Sequence, residues 1–213
     1  MPRESLKSKQ KRMSEILGRL KATFDNPQPA LEFSSPLELL IATILSAQCT
    51  DARVNIVTRS LFETYQTPQD YVDVPLSELE REIHSTGFYH NKALNIKKCC
   101  QRLIELHNGK VPMSMAELTE LAGVGRKTAN VVLGNAFGIP GIAVDTHVIR
   151  ISGLLKMTAH SDPVKIEADL MKIVPKQDWT SLGHLIATHG RATCIARRPR
   201  CDECIVADLC PSR

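Results

Sequence analysis

Four cysteines near the C-terminus form the most informative pattern in this 213-residue chain. Six, two and five residues separate them, and they are Cys194, Cys201, Cys204 and Cys210. Four thiolates at such short spacing are a ligand set for a metal ion or an iron–sulfur cluster. The spacing by itself does not choose between a cluster and a zinc ion bound by four cysteines.

A glycine-containing turn is predicted upstream of the cysteines, in the segment LAGVGRKTAN at Leu121–Asn130. Its glycines, Gly123 and Gly125, allow a tight turn and a close approach of the backbone to a ligand. A helix predicted from Arg126 onward would present its free N–H groups and positive dipole end, which suits a phosphate. An ordinary turn between two helices is the alternative interpretation.

Lys127 lies in the first turn of that predicted helix. The helix dipole disfavours a further positive charge there, and stabilising sequences place acidic residues at this position. We therefore expect Lys127 to be partly desolvated and available as a neutral amine nucleophile. Phosphate binding without chemistry is the alternative, and Arg126 would serve that purpose equally well.

A carboxylate begins another predicted helix, in the segment VDTH at Val144–His147. Asp145 is a good N-cap. A cap keeps a carboxylate ionised and fixed in direction, as an electrostatic stabiliser or a proton acceptor requires. Capping without any chemistry is the alternative for Asp145, and His147 is interpreted as a surface or packed histidine of that helix.

The charge of the chain is compatible with a nucleic-acid partner but does not identify one, since the net charge is +4 and the pI about 8.7. Residues 1–23 contain seven Lys and Arg against two Glu. Four more arginines crowd around Cys194, namely Arg191, Arg197, Arg198 and Arg200. Both clusters are candidate phosphate-facing patches. A solvated helix face is the alternative for residues 1–23.

The cysteine content of the chain indicates a reducing compartment. Seven cysteines without a signal peptide or a transmembrane run make disulfides a poor explanation of the C-terminal pattern. The most apolar stretch, Leu39–Ala47, is too short to span a bilayer. Cys49, Cys99 and Cys100 lack ligand-like spacing and are interpreted as small buried or half-buried hydrophobes.

The elements that must position these motifs are predicted to be helical. Apolar residues recur with helical spacing and no strand alternation is evident, so the sequence predicts an all-α fold. Pro36–Ala47 predicts a buried central helix, and Pro140–Gly141 is a candidate boundary between lobes. An N-terminal helix has an apolar face of Met13, Ile16, Leu17 and Leu20. Further helices are predicted over residues 51–65, 77–85, 92–108, 114–121, 126–137, 145–156, 163–174 and 179–190.

In combination, the three motifs closely resemble those of the bacterial endonuclease III family, as do Ser46–Asp51 (SAQCTD) and Gly87–Ala93 (GFYHNKA). The resemblance extends over essentially the whole chain. It implies a bifunctional DNA glycosylase and abasic-site lyase of base excision repair that removes oxidised pyrimidines from duplex DNA. It also implies a [4Fe-4S] cluster rather than zinc.

The resemblance further implies two helical lobes. A central lobe at 29–139 would contain a helix-hairpin-helix motif at about 114–134. Residues 1–28 plus 140–213 would form the second lobe, with the cluster loop at 194–210. We expect a cytoplasmic, nucleoid-associated monomer that binds double-stranded DNA and makes no membrane contact.

Residue roles also follow from the resemblance. It implies that Lys127 is the nucleophile, that Asp145 is its catalytic carboxylate and that the four C-terminal cysteines ligate the cluster. Gln48 would fill the hole left by an extruded nucleotide, and Asp51 would line the pocket for the damaged base. Phe88 would wedge at the opposite strand, where the family often has an aliphatic residue. The remaining candidate DNA contacts are Gly123, Gly125 and Arg126.

Two other functions compete with this interpretation. Adenine-DNA glycosylases share the hairpin, the aspartate and the cluster, but they lack the hairpin lysine, use water and have an additional C-terminal domain. A non-catalytic DNA-binding protein could use the hairpin and a metal-stapled loop without any chemistry. The presence of both Lys127 and Asp145 favours the lyase over these alternatives.

Overall fold

The computed structural model describes residues 4–25 and 29–213, and within these ranges the regular structure is entirely helical. The all-α prediction is therefore confirmed. Residues 1–3 of the N-terminal basic run and residues 26–28 at the predicted lobe boundary lie outside the described residues. The α-helices are α1 Leu6–Thr23, α2 Pro36–Leu45, α3 Asp51–Thr64, α4 Pro68–Asp73, α5 Leu76–Ile83, α6 Tyr89–His107, α7 Met115–Thr119, α8 Arg126–Phe137, α9 Thr146–Leu154, α10 Pro163–Ile173 and α11 Trp179–Ala192.

The chain divides into two compact units, each with its own apolar core. The central unit is Pro29–Ile139, and the terminal unit combines Met1–Gln28 with Pro140–Arg213. No helix in the described part of the chain is long and apolar enough to cross a bilayer.

The central unit is built around α2. No residue from Leu39 to Leu45 is more than 5% exposed, so this helix is buried on all sides, as its composition predicts. Pro36 occupies the first helical position and Ser35 caps the helix by accepting a hydrogen bond from the Glu38 amide. Helices α3, α6 and α8 pack around α2, and α4 and α5 pack on α6.

The terminal unit packs α1 against α10 and α11, and α9 against α11 and α10. The predicted apolar face of α1 is confirmed, because each of its four residues is at most 2% exposed. Asp162 caps α10 through the amide of Lys165. The core continues on α9 and α11 through Val148, Ile151, Leu182 and Leu185, all of them buried.

One helix of the structure has no counterpart among the sequence predictions, and another begins earlier than predicted. Helix α4 was not predicted, because its six residues are too few to display helical periodicity. A capping box between Thr67 and Asp70 stabilises it instead. Helix α6 begins at Tyr89 rather than at residue 92, and Phe88 precedes it in the left-handed region without a side-chain cap. No conventional start signal exists there for sequence analysis to find.

Candidate active site and metal centre

The predicted glycine turn connects α7 to α8 in the central unit, and its two glycines differ. Gly123 has a φ of +77°, and a Cβ placed there would lie 3.1 Å from the Asn95 Cβ. Gly125 has an ordinary extended conformation, with φ −92° and ψ 176°, and open space around its Cα. The turn therefore requires glycine only at position 123. Gly125 leaves room for close approach by another molecule.

The start of α8 carries the predicted nucleophile. Gly125 is the N-cap and contributes no side-chain acceptor, and the first turn contains no acidic residue. Arg126 and Lys127 are both exposed. The expected partial desolvation of Lys127 is thus not present in the protein alone, because its side chain projects from the turn. An uncapped helix N-terminus flanked by two cationic side chains is well suited to an anion such as phosphate.

Gln48 and Phe88 share an uncommon backbone conformation. Their φ values are +53° and +50°, and both side chains are exposed, Phe88 by 62%. A non-glycine residue in this region costs on the order of 1 kcal/mol or more. The structure holds two predicted insertion residues in strained backbone and directs them outward, as an insertion role requires.

One surface pocket brings three of the predicted DNA contacts together. Gln48 follows α2, Phe88 precedes α6 and Gly123 belongs to the hairpin, yet all three line the same pocket of the central unit. Asp51 is half-buried in the first turn of α3 and is not part of that lining. The remaining lining residues are Ile44, Ala47, Asn91, Lys92 and Asn95.

Asp145 belongs to the terminal unit, whereas Lys127 belongs to the central unit. The predicted cap is confirmed, because the Asp145 Oδ1 accepts a hydrogen bond of 2.8 Å from the Val148 amide. This bond fixes the direction of the half-buried carboxylate. Burial lowers the pKa of His184 on α11, and the Asp145 carboxylate raises it. The carboxylate therefore acts electrostatically on its surroundings as well as capping α9.

His147 is a packed histidine. Its side chain is half-buried, and a Cβ at Gly190 of α11 would lie only 2.5 Å from the His147 Nδ1. The glycine thus provides the space that the imidazole occupies. This close packing of α9 on α11 agrees with the structural interpretation of His147.

The four C-terminal cysteines meet in the terminal unit. All are free thiols, all are half-buried and all line one apolar cavity. Burial raises the pKa of Cys204, the Val206 amide opposes that shift, and the charges of the other three thiolates raise it further. Four thiolates in an apolar cavity would repel one another unless a cationic group lay between them. The donor set therefore fits a metal centre.

A zinc ion and an iron–sulfur cluster would hold the four sulfurs at different separations. A zinc ion with 2.3 Å bonds would draw four sulfurs to about 3.8 Å from one another. Among the described residues, no three His, Cys, Asp or Glu side chains are close enough to hold one metal ion. In a [4Fe-4S] cluster each thiolate binds a different iron, so the sulfurs stand farther apart. Four cysteine thiolates are the usual ligand set of such a cluster.

Two residues near the sulfurs were missed by sequence analysis. Arg150 on α9 donates a hydrogen bond of 3.5 Å from its Nη1 to the Cys194 Sγ. The His189 Nε2 on α11 lies 3.8 Å from the Cys204 Sγ. Both contacts join residues distant in sequence or separated by a loop, and no spacing pattern in the chain signals them.

Part of the N-terminal basic run serves the cluster loop instead of facing solvent. Arg12 donates to the carbonyl of Leu209 at 3.1 Å, and Arg19 donates to the carbonyl of Ile205 at 3.0 Å. Arg19 also forms a 2.6 Å ion pair with Asp208. These arginines tie α1 to the loop that contains the cysteines. By contrast, Arg191, Arg197, Arg198 and Arg200 are exposed.

Comparison with known proteins defines the class to which this fold and these sites belong. A family model described as HhH-GPD superfamily base excision DNA repair protein matches residues 41–176. A second model, the iron-sulfur binding domain of endonuclease III, matches residues 194–210. The chain is thus a helix-hairpin-helix base excision repair protein with an iron–sulfur domain.

Individual relatives narrow the class. Endonuclease III of Synechocystis sp. is 50% identical over 206 residues, which cover 96% of this chain and 94% of the relative. A non-covalent endonuclease III–DNA complex matches with a TM-score of 0.91 and 48% identity over 95% of both chains. A trapped endonuclease III–DNA covalent intermediate matches equally well, over 95% of this chain and 96% of that one. The chain belongs to the endonuclease III family.

Membership confirms several sequence-based predictions. The protein is a bifunctional DNA glycosylase and abasic-site lyase of base excision repair, and it binds DNA. Its cofactor is a [4Fe-4S] cluster. Neither an adenine-type glycosylase nor a non-catalytic DNA-binding protein is favoured.

Proposed function

We propose that Lys127 is the nucleophile that releases oxidised pyrimidines from damaged duplex DNA, assisted by Asp145. The observation that carries this proposal is the exposed amine of Lys127 at an uncapped helix N-terminus, beside the open backbone of Gly125. A DNA phosphate bound there would bring the sugar of an extruded nucleotide towards the amine. Bound DNA would also supply the desolvation that Lys127 lacks in the protein alone.

The chemistry follows from an amine nucleophile. The damaged base must leave the helical stack before its glycosidic bond becomes accessible. The neutral Lys127 amine attacks the sugar C1′, the glycosidic bond breaks and the base departs with its electron pair and takes up a proton. Loss of a proton from nitrogen and opening of the sugar ring give an imine. The imine acidifies the C2′ hydrogen, and β-elimination expels the 3′ phosphate.

Asp145 acts through its fixed negative charge. The hydrogen bond from the Val148 amide holds the orientation of the carboxylate. A preorganised anion of this kind stabilises positive charge that develops on the sugar as the base leaves.

Gln48 and Phe88 support the extruded state. We assign the filling of the vacated space to Gln48 and the wedging of the opposite strand to Phe88. Their outward direction, their strained backbone and their shared pocket with Gly123 support this assignment. The contribution of Asp51 to the lesion pocket stays a prediction.

The four cysteines are proposed as the cluster ligands. When bound, the cluster supplies the cationic core that offsets the repulsion between Cys194, Cys201, Cys204 and Cys210. The protein residues then hold the loop in shape, and the exposed arginines beside Cys194 face DNA phosphates. Action on chromosomal DNA would place the enzyme in the cytoplasm, in association with the nucleoid.

Borohydride trapping on abasic-site DNA tests the nucleophile, since only an imine is reduced to a stable covalent adduct. Lys127→Ala should abolish trapping and strand cleavage while lesion binding persists. Lys165→Ala is a matched control, because Lys165 is also an exposed lysine in the first turn of a helix, α10, but that helix is capped by Asp162. A trapped adduct with Lys127→Ala would show that another amine performs the reaction.

Metal analysis tests the ligand assignment. Protein prepared without oxygen should be yellow-brown and contain about four irons per chain. Cys204→Ala should yield mostly insoluble protein, because the loop depends on the centre for its shape. Cys49→Ala, at a half-buried cysteine of the central unit, should keep its iron. Zinc in place of iron would contradict the assignment.

A further inference from the structure

A buried lysine lies beneath the pocket formed by the predicted insertion residues. Lys92 in α6 is only 4% exposed, yet it carries a side chain that normally reaches water. Its Nζ donates to the carbonyl of Leu45 at 2.7 Å and to the carbonyl of Thr86 at 2.8 Å. The ammonium group thus joins two backbone segments that are distant in sequence.

Each of those carbonyls ends a helical segment that leads to an insertion residue. Leu45 is the last residue of α2, and Gln48 follows three residues later. Thr86 ends a short 3₁₀ turn at His84–Thr86, and Phe88 follows two residues later. Strained residues persist only where their surroundings hold them in place. The two hydrogen bonds from Lys92 provide such a constraint on both loops at once.

Burying this amine is unfavourable in itself. Burial lowers the pKa of Lys92, and nearby Cys49 opposes that shift. An aliphatic side chain would fill the same space without a desolvation cost. The compensation is a pair of hydrogen bonds to carbonyls at helix C-terminal ends, where a positive charge is most favourable. A lysine at this position therefore fixes the two backbone segments relative to each other, which an apolar residue could not do.

The same face of α6 packs against Gly123, the third predicted DNA contact that lines the pocket. Phe88, Lys92 and Asn95 are spaced by four and three residues, so they lie on one side of the helix. The Asn95 Cβ is 3.1 Å from the position that a Cβ would take on Gly123. One helix face thus supports the loop of Gln48, the loop of Phe88 and the hairpin.

We propose that Lys92 is a positioning residue that fixes the relative placement of Gln48 and Phe88, so that both enter the duplex together when a nucleotide is extruded. This inference rests on the proposed insertion roles of those two residues. Lys92 itself need not contact the reacting atoms. Its effect should be confined to steps in which insertion replaces lost base pairing.

The test compares paired and unpaired lesions in the cluster-loaded enzyme. Single-turnover base release is measured on a lesion opposite its normal partner and on the same lesion in a single-stranded bulge, where insertion is dispensable. Lys92→Met keeps the length of the side chain and removes its donors. We expect release from the paired lesion to fall on the order of 10- to 100-fold, the scale of a misplacement of about 1 Å, with a much smaller loss on the bulge.

Lys97→Met provides a matched control on the same helix. The half-buried Lys97 donates to the carbonyls of Tyr71, Val72 and Val74, away from both insertion residues. Its loss removes a similar set of hydrogen bonds, so a similar loss of stability is expected. The ratio of base-release rates on the paired and the bulged lesion should stay at the wild-type value.

A double-mutant cycle separates this inference from the insertion roles on which it depends. If Lys92 acts through its two loops, Lys92→Met should add little further loss to a Gln48→Ala, Phe88→Ala double variant. If Gln48→Ala and Phe88→Ala leave unchanged the ratio of base-release rates on the paired and the bulged lesion, the insertion roles are refuted. If they change the ratio and Lys92→Met does not, or if its effect is additive, the positioning role alone is refuted. Should Lys92→Met not fold, Lys92→Gln, which retains one donor group, is subjected to the same comparison.

Discussion

The starts of α8 and α9 place their proposed catalytic side chains in two opposite settings. Helix α8 begins at Gly125, which offers no side-chain acceptor, and carries an exposed lysine in its first turn. Helix α9 begins at Asp145, whose carboxylate accepts a hydrogen bond from its own helix. The start of α8 leaves its positive dipole end open to another molecule. At the start of α9, the Asp145 carboxylate offsets the positive dipole end of its own helix.

The difference corresponds to the role proposed for each residue. An uncapped N-terminus retains backbone donors for an external anion. A cap hydrogen bond limits the motion of a carboxylate, which preorganises its negative charge. Caps are usually assigned to stability alone. In the proposed mechanism, the presence or absence of a cap also distinguishes the roles of the two helix ends.

The strongest test of this comparison removes the charge of the cap while retaining the cap. Asp145→Asn should cost only a few tenths of a kcal/mol in the free energy of unfolding, because Asn caps almost as well as Asp. If the carboxylate stabilises the sugar cation, single-turnover base release should fall by roughly two or more powers of ten. The pKa of His184, followed by NMR, should also fall, since the anion that raises it is lost.

Asp162→Asn is the matched control, because Asp162 caps α10 in the same way through the Lys165 amide. It should leave the rate of base release unchanged. A near-normal rate for Asp145→Asn would reduce Asp145 to a structural cap, and the contrast between the two helix ends would then lose its chemical meaning.

A second test makes the two helix ends alike by installing a cap on α8. The backbone of Gly125 is compatible with serine, and no atom lies within 4 Å of an added Cβ. Gly125→Ser should stabilise the fold by a few tenths of a kcal/mol. Its hydroxyl would occupy a backbone donor and the space used by a phosphate, so DNA affinity should fall about tenfold, as for the loss of one charge-assisted hydrogen bond.

Gly18→Ser is the control for this substitution, because Gly18 is an exposed helical glycine of α1 that also has open space around it. It should leave DNA affinity unchanged in a titration at fixed salt. Unaltered affinity of Gly125→Ser would mean that the start of α8 does not bind a phosphate.

The sequence predicted those features that depend on local pattern. The buried helix α2 and the apolar face of α1 follow from composition and periodicity, because both report which side of a helix packs against the core. The cap at Asp145 follows from residue type, since short polar side chains bond readily to nearby amides. The cysteine spacing indicated a metal centre but did not by itself exclude zinc, and the family comparison supports the [4Fe-4S] cluster.

The unpredicted features depend on contacts between segments that are distant in sequence. Nothing in the residues around Lys92 shows that its amine bonds to the end of α2, and nothing in the basic run shows that Arg12 and Arg19 bond to the cluster loop. The left-handed backbone of Phe88 is equally invisible, since aromatic residues rarely adopt it. Tertiary packing imposes these features against local preference.

Phe88 provides the test with the smallest expected effect. It lies at a third helix start, that of α6, which like α8 has no side-chain cap. Its φ of +50° is unfavourable for a bulky residue, and its ring is 62% exposed in the protein alone. Phe88→Gly should therefore raise the free energy of unfolding by about 1 kcal/mol, even though it removes an aromatic ring. Base release from a paired lesion should fall.

Asn108→Gly is the control, because Asn108 has a φ of +52° but is a residue type that tolerates this conformation. Its gain in the free energy of unfolding should be smaller. Both values can be measured by chemical unfolding of the cluster-loaded enzyme. A loss of stability for Phe88→Gly would show that the ring packs in the free protein, and the strain at this helix start would then have no link to DNA.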